Sequence, residues 1–264
     1  SKKIMKQLFD QTGFACSKLV TKKYSTSFSL AVKMLAPKIR EDIYSIYAFV
    51  RLADEIVDSF HGYEKEKLLN EFEQDYYKAF AANISLNPIL NSFQLTVKKH
   101  KITDDLIQAF LTSMKLDLNK NDYETKAEYD NYIYGSADVV GLMCLKVFVN
   151  GDVERYEHLK SYAMRLGSAF QKVNFLRDLK DDYEVLNRSY FPGIDLKKLD
   201  ISAKNKIIDE IEEDFHEAFK GIKMLPLEAK FGVYTAYIYY RTLLKKLKGT
   251  PSEKIMNTRI RVSN

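Results

Sequence analysis

The stretch Tyr47-Ala-Phe-Val-Arg51-Leu-Ala-Asp54-Glu-Ile-Val-Asp58 places two aspartates four residues apart within an apolar helical pattern. Residues i and i+4 lie on the same face of an α-helix, so Asp54 and Asp58 would hold two carboxylates side by side. Two like charges that lose hydration together destabilise a fold unless something compensates them. A divalent cation such as Mg²⁺, which prefers oxygen ligands, and a phosphorylated ligand would provide that compensation. The stretch therefore predicts a helix that borders a metal and phosphate site.

A second segment, Gln171-Lys-Val-Asn174-Phe-Leu-Arg177-Asp178-Leu-Lys-Asp-Asp182, repeats this pattern later in the chain. The spacing of Gln171, Asn174, Asp178 and Asp182 places all four on one side of a helix. About one Asp-x-x-x-Asp pair is expected by chance, so a single pair is weak evidence for a site. Here there are two pairs, and each is flanked on its own face by groups that bind phosphate or metal. We therefore predict that the two motifs hold metal ions around one diphosphate.

The composition predicts a chain built from long helices. It has 264 residues, of which 46% are hydrophobic, with only 10 Gly and 5 Pro. So few turn-forming residues in a chain of this length indicate short connections between helices. No stretch alternates with the period of a strand, and no repeat or linker divides the sequence. We therefore predict an all-α protein with one domain over residues 1–264.

Apolar periodicity and turn residues predict the ends of the helices. The predicted helices cover residues 4–20, a short segment ending at residue 35, and then 38–59, 64–82, 88–100, 104–118, 125–149, 153–185, 202–223 and 227–248, followed by a short basic tail. Tyr24-Ser-Thr-Ser-Phe28 should break the first helix, because hydroxyl residues favour caps and turns. Thr103 should cap the helix that follows it. Gly135 and Gly141 mark places where two helices can approach closely.

Charge and cysteine usage narrow the classes of function. The net charge of +5 is mild, and no arginine-rich tract occurs, so nucleic acid is not an expected partner. Weak attraction to anionic lipid remains an alternative. We predict that Cys16 and Cys144 are reduced residues of a cytosolic protein. Without a signal-peptide pattern or an apolar segment of ~18–20 residues, we predict a cytoplasmic protein, with peripheral contact at the inner face of the membrane as the alternative.

Other metal and cofactor sites fit the sequence poorly. A di-iron carboxylate bundle needs a repeated Glu-x-x-His motif, and the chain has one match, Glu213-Asp-Phe-His216. His61, His100 and His158 lack the spacing of a zinc site. No Gly-rich phosphate loop or dinucleotide fingerprint occurs, so no nucleotide cofactor is expected.

These segments resemble the squalene/phytoene synthase family of head-to-head prenyl synthases, and the resemblance covers nearly the whole chain. It rests on the two aspartate motifs with Asn187-Arg-Ser-Tyr-Phe-Pro192, and extends to Tyr24-Ser-Thr-Ser-Phe28, Ala236-Tyr-Ile-Tyr-Tyr240 and Thr258-Arg-Ile-Arg-Val262. The Asp-Glu-x-Val-Asp form of the first motif favours the phytoene synthase branch. The resemblance implies an all-α isoprenoid-synthase fold around a deep central cavity.

The resemblance also implies roles for individual residues. Mg²⁺, with Mn²⁺ as an alternative, would be bound by Asp54, Asp58, Asn174, Asp178 and Asp182. The diphosphate would be held by Ser25, Ser27, Arg51, Gln171, Asn174, Arg177 and Arg259. Catalytic roles would fall to the four aspartates and to Tyr47, Tyr132 and Tyr239. Where the family often has Ala-Gly-Thr-Val-Gly, this chain has Ala137-Asp-Val-Val-Gly141, with Asp138 in place of a small residue; this departure bears on the local cavity wall and not on the metal site.

The implied activity is that of a prenyltransferase that condenses two prenyl diphosphates head to head. Our first choice is geranylgeranyl diphosphate, converted to phytoene through a cyclopropylcarbinyl diphosphate. The alternative substrate is farnesyl diphosphate, with presqualene diphosphate, dehydrosqualene or squalene as product. A non-catalytic assembly factor is an alternative of another class, but such a relative should have lost metal aspartates, and all four are present. The sequence does not indicate an oligomeric state.

Overall fold

A computed structural model describes residues 1–120, 122–179, 191–193 and 201–257. Its α-helices are α1 (Lys2–Tyr24), α2 (Thr26–Lys33), α3 (Pro37–Asp58), α4 (Lys65–Ala82), α5 (Pro88–His100), α6 (Asp104–Asn119), α7 (Lys126–Ile133), α8 (Val139–Val149), α9 (Val153–Arg177), α10 (Ile201–Ile222), α11 (Leu227–Lys248) and α12 (Ser252–Asn257). No strand occurs in these described ranges, and the prediction of an all-α protein is confirmed.

The break between α1 and α2 lies at Ser25, as predicted. Its backbone is extended, with φ −149° and ψ 101°. Its hydroxyl accepts a hydrogen bond of 3.1 Å from the N–H of Phe28 and so caps α2. A serine in this position satisfies one of the backbone donors that a helix start leaves without a partner.

Three predicted features differ from the structure. Thr103 precedes α6, but its side chain makes no capping hydrogen bond. Helix α9 ends at Arg177, because Asp178 leaves the helical region with φ −101° and ψ 13°, although Leu179 is again helical; the rest of the helix predicted to reach residue 185 lies outside the described ranges. The tail contains helix α12, whose Ile255 is fully buried and so holds this segment against the core.

A π-helical turn, Tyr134–Asp138, joins α7 to α8 without a break in the helix. A Cβ atom added at Gly135 would lie 1.8 Å from Ser113 Oγ of α6. One added at Gly141 would lie 2.7 Å from the carbonyl oxygen of Ala163 in α9. The prediction that both glycines permit close helix packing is therefore confirmed.

The continuous span Lys126–Val149 is the one helix of the described residues that is long and apolar enough to cross a membrane. It has 24 residues and a mean hydropathy of 1.5 in its most apolar window. The prediction that no such segment exists is therefore wrong for length and composition. However, 67% of that window is buried inside the protein, as in a core helix, so the finding is weak evidence for a membrane span.

The buried side chains of the described residues form two hydrophobic clusters. The first is built mainly from α3, α4, α5, α6 and α8, and Phe49 stacks within it on Phe93 with ring centroids 3.9 Å apart. The second combines α9, α10 and α11, with Phe215 of α10 against Tyr237 of α11 at 5.6 Å. Helix α9 packs against both α8 and α10. It therefore joins the two clusters and holds one wall of the cavity described next.

Candidate active site

A deep and mainly apolar cavity of about 270 Å³ is lined by residues of α2, α3, α8, α9, α10 and α11 and of the π-helical turn. Along α3 its lining runs from Ile43 to Asp54, and along α9 from Leu159 to Asn174. With a rise of 1.5 Å per residue, these spans correspond to about 16 and 22 Å of helix. Most of the polar side chains lie towards one end, namely Tyr47, Arg51, Asp54, Ser136, Gln171 and Asn174.

Asp54 is a buried carboxylate at the polar end of the cavity. Burial raises its pKa to about 7. Arg51 opposes this shift, whereas the negative charges of Asp58, Asp117 and Glu55 add to it. A carboxylate surrounded by three others favours a bound cation, because a cation lowers the free energy of the ionised form.

Arg51 and Tyr47 present polar atoms to the cavity from the same face of α3. The Arg51 guanidinium lies 5.5 Å from the ring centroid of Tyr24 and 5.8 Å from that of Tyr47. Its Nη1 atom is 3.4 Å from Glu55 Oε1, while its buried Nε atom has no hydrogen-bond partner. The buried Tyr47 hydroxyl makes no hydrogen bond of good geometry either, although Arg51 and Ser25 are near enough to oppose the rise that burial causes in its pKa. The Tyr47 ring stacks on Phe28 at 4.7 Å. Both side chains are thus held in place and can still donate hydrogen bonds to a ligand.

Helix α9 brings amide groups to the opposite wall. Gln171 Nε2 donates to Ser136 Oγ over 3.4 Å, whereas the buried Asn174 Oδ1 has no partner. At the end of the helix, Arg177 Nε and Nη2 donate to the two oxygens of Asp178, each over 2.8 Å. Two parallel hydrogen bonds of this kind hold a carboxylate firmly. The second aspartate motif therefore begins with an ion pair.

The remaining predicted site residues lie around this polar end. Ser25 Oγ is 3.4 Å from Ser27 Oγ at the start of α2. The Tyr132 hydroxyl donates to Asp117 Oδ2 over 2.8 Å. Tyr239 packs edge-on against Tyr240, with centroids 5.4 Å apart.

The cavity brings together only some of the residues that the sequence predicted for the site. Its lining includes Tyr47, Arg51, Asp54, Gln171 and Asn174. Outside the lining, but within the described ranges, are Ser25, Ser27, Asp58, Tyr132, Arg177, Asp178 and Tyr239. Asp182 and Arg259 lie outside the described residues.

Comparison with known proteins identifies the family. Residues 21–264 match the model of the squalene/phytoene synthase family. The chain belongs to this family. It is 28% identical over 255 residues to the 15-cis-phytoene synthase of Synechocystis, with 85% of this chain and 73% of that protein aligned. It is 24% identical to phytoene synthase 1 of Solanum lycopersicum, with 93% of this chain but 62% of that longer protein aligned.

Solved structures of the family share the fold. A dehydrosqualene synthase superposes with a TM-score of 0.79 at 22% identity, covering 94% of this chain and 95% of the other. The squalene synthase HpnC of Alicyclobacillus acidocaldarius gives a TM-score of 0.78 at 21% identity, covering 92% and 96%. The chain is therefore an all-α prenyltransferase, as predicted. Divalent metal that assists the binding of a diphosphate substrate is a general feature of its family.

The described residues of this family member fit such a metal–diphosphate group. They contain no cluster of three or more His, Cys, Asp or Glu side chains arranged around a metal position, and the predicted ligand Asp182 lies outside them. However, Asn174 Oδ1, Arg51 Nε and the Tyr47 hydroxyl are buried without partners at the same end of the cavity as Asp54. Buried polar atoms normally have partners, so these four side chains suit a ligand that brings both cations and phosphate oxygens.

Asp117 of α6 was missed as a site residue. It is 4% exposed, accepts a hydrogen bond from Tyr132, and raises the pKa of Asp54. Its position follows the buried residues Phe110 and Met114 at helical spacing. An acidic residue in an apolar helical stripe was the signal that could have revealed it.

Asp138, where the chain departs from the family pattern, does not line the cavity. The wall at this point is lined by Ala137 and Gly141. Asp138 is buried behind it and accepts a hydrogen bond of 2.5 Å from Ser168 Oγ. Burial raises the pKa of Asp138 to about 7, an effect that Ser168 and Lys172 oppose.

Proposed function

We propose that this chain joins two molecules of geranylgeranyl diphosphate head to head and releases phytoene. The observation that carries the proposal is the shape and chemistry of the cavity. Unpartnered polar atoms and Asp54 stand at one end, and aliphatic and aromatic side chains line the rest of its length. A diphosphate with a long hydrocarbon tail matches both parts. The choice of phytoene is supported by the phytoene synthases among the curated relatives.

Asp54, Asp58, Asn174 and Asp178 would hold Mg²⁺, together with Asp182. When bound, Mg²⁺ neutralises the charge that develops on a leaving diphosphate. The carboxylate of Asp54 favours this cation because burial and its acidic neighbours have already made its own negative charge unfavourable.

Arg51 would bind and orient the diphosphate. Tyr24 and Tyr47 hold its guanidinium by cation–π contacts, and its Nε donor remains without a partner. A guanidinium fixed before the substrate arrives loses little side-chain entropy on binding. The amide of Asn174 and the hydroxyl of Tyr47 would complete the polar cradle for the phosphate oxygens.

The apolar length of the cavity would protect the cations formed during the reaction. Breaking the carbon–oxygen bond of one substrate leaves an allylic cation, which the double bond of the second substrate attacks with loss of a proton. This gives a cyclopropylcarbinyl diphosphate. Loss of its diphosphate, rearrangement and loss of a second proton give the hydrocarbon. Phe28, Tyr47 and Phe170 line the cavity, where their ring faces attract a cation and their bulk excludes water.

The test is an incubation of the purified chain with Mg²⁺ and either geranylgeranyl or farnesyl diphosphate. We expect a C40 hydrocarbon from the first substrate and release of diphosphate, identified by mass spectrometry and a phosphate assay. A C30 product formed only from farnesyl diphosphate would replace phytoene by presqualene diphosphate or dehydrosqualene, or by squalene where a hydride donor such as NADPH is added. Absence of product and of diphosphate release with both substrates would overturn the enzymatic proposal and favour an assembly factor.

A further inference from the structure

The outer surface of helices α2 and α11 carries large apolar side chains. On α11 the exposed apolar residues are spaced by four, three and four positions, which places them on one face of the helix. On α2 two further residues are exposed at a spacing of four. Together these six residues form a surface that we call the apolar face: Leu30, Met34, Leu227, Phe231, Tyr234 and Ile238, with exposed fractions from 42% to 68%.

The two helices meet closely, so the apolar face is one surface. A Cβ atom added at Gly232 would lie 2.9 Å from the carbonyl oxygen of Ala31 and 2.4 Å from Leu35 Cδ2. The N–H of Ala36 also donates to the carbonyl oxygen of Glu228 over 2.8 Å. Ala31 and Gly232, where the two helices touch, are the sequence neighbours of Leu30 and Phe231.

The same two helices form a wall of the prenyl cavity. Ala31 of α2 and Gly232, Val233 and Ala236 of α11 line the cavity from within. The apolar face therefore lies on the outer side of this wall. Contiguous exposed apolar surface of this kind marks a site of interaction with another molecule or a membrane.

The charged residues of the two segments that carry the apolar face are almost all positive. Residues 26–38 and 227–246 contain six basic residues, Lys33, Lys38, Lys230, Arg241, Lys245 and Lys246. Their one acidic residue, Glu228, pairs with Lys38 at 3.8 Å. Arg241 and Lys245 follow Ile238 at spacings of three and four, so the α11 row continues from apolar into basic residues.

We propose that the apolar face docks the protein on the surface of a bilayer that contains anionic phospholipid. Apolar side chains with a basic rim bind such surfaces by burial at the headgroup boundary together with electrostatic attraction. A second copy of the chain fits less well, because a symmetric contact would bring two sets of cations together. The inference concerns binding to lipid and does not depend on the reaction that the cavity carries out.

The first experiment is flotation of the full chain with vesicles of phosphatidylcholine alone or of equal parts phosphatidylcholine and phosphatidylglycerol. We expect binding to the anionic vesicles, weakened by salt, and much less to the neutral ones. The double variant Leu30→Gln/Phe231→Gln should lose on the order of tenfold in binding. Leu86→Gln, which changes a side chain that is 90% exposed between α4 and α5, is the matched control and should bind like the wild type.

A second pair of variants tests the charge. Lys33→Glu/Lys245→Glu should lose binding to anionic vesicles, while Lys67→Glu on α4 should retain it. Each variant is checked by circular dichroism, and its mass in solution by light scattering. Equal binding of wild type to both vesicle types, or full binding by either double variant, would overturn the proposal. A wild-type dimer that Leu30→Gln/Phe231→Gln converts to a monomer would assign the apolar face to a second copy instead.

Discussion

Helix α3 carries two aspartates whose surroundings are opposite in character. Asp42, near its start, is 1% exposed and fully provided with partners. Thr96 Oγ1 donates to its Oδ1 over 2.9 Å, His100 Nε2 lies 2.8 Å from its Oδ2, and Lys99 Nζ lies 3.2 Å from the same oxygen. Burial alone would raise the pKa of Asp42, but the hydrogen bonds from His100 and Thr96 and the charge of Lys99 lower it overall.

Asp54, three turns later on the same helix, has a pKa raised to about 7. After burial, the groups that act on it are one cation, Arg51, and three further carboxylates. The fold therefore compensates Asp42 with its own residues from α5 and leaves Asp54 to be compensated by a ligand. The contrast separates a carboxylate that stabilises the protein from one that is held ready for a cation.

The largest effect expected from this contrast is on turnover. Asp54→Asn should lower kcat on the order of 10³-fold, because it removes charge that the bound cation requires in the transition state. Asp42→Asn should keep wild-type kcat at a temperature where it is folded. The measurement is steady-state release of diphosphate, with the exposed Asp75→Asn as the control. Similar losses in the Asp42 and Asp54 variants would show that the contrast has no functional meaning.

For stability the order is reversed, and Asp42→Asn should have the larger effect of the two variants. Asp42→Asn should lower the free energy of unfolding by about 3 kcal/mol, since it breaks a buried charged network and leaves partners unpaired. Asp54→Asn should be neutral or stabilising in the absence of metal, because the ionised carboxylate is unfavourable there. Urea denaturation measures both values. A lowered pKa contributes stability above the ordinary value of 3.8 that is lost as pH falls below it, so the Asp42→Asn deficit should shrink in acid.

A ligand should stabilise the wild type and the Asp42→Asn variant, but hardly the Asp54→Asn variant. With Mg²⁺ and inorganic diphosphate at a hundred times their dissociation constant, wild type and Asp42→Asn should each gain about 3 kcal/mol. Asp54→Asn should gain far less. Thermal unfolding with and without the two ligands provides the measurement, and each ligand added alone is the control. An equal gain in all three proteins would place the ligand away from Asp54.

The sequence predicted the features that depend on local chemistry. Helix spans, the break at Ser25 and the close approaches at Gly135 and Gly141 follow from periodicity and turn residues within a few positions. It could not predict that His100 packs on Asp42, 58 residues away, or that Asp117 approaches Asp54, because these contacts depend on which helices pack together. Nor could it predict that Asp138 lies behind the cavity wall, because Asp138 belongs to a π-helical turn, in which side chains face differently from those of a regular α-helix.

The smallest effect on stability is expected at a third buried carboxylate, Asp138. Ser168 and Lys172 partly offset the cost of burying it. Its pKa is raised to about 7 from an ordinary 3.8, so the folded state favours its neutral form. The stability that it contributes is therefore present below the ordinary value and is lost as pH rises towards 7. The stabilisation of the metal-free protein by Asp138→Asn should be about 2–3 kcal/mol larger at pH 8 than at pH 5, since each unit of the pKa difference corresponds to ~1.4 kcal/mol. Urea unfolding of both proteins at the two pH values tests this, with Asp75→Asn as the exposed control. A variant less stable than wild type at pH 8 would mean that the Ser168 hydrogen bond outweighs the cost of burial. Asp138 would then be, like Asp42, a carboxylate that the protein's own residues stabilise.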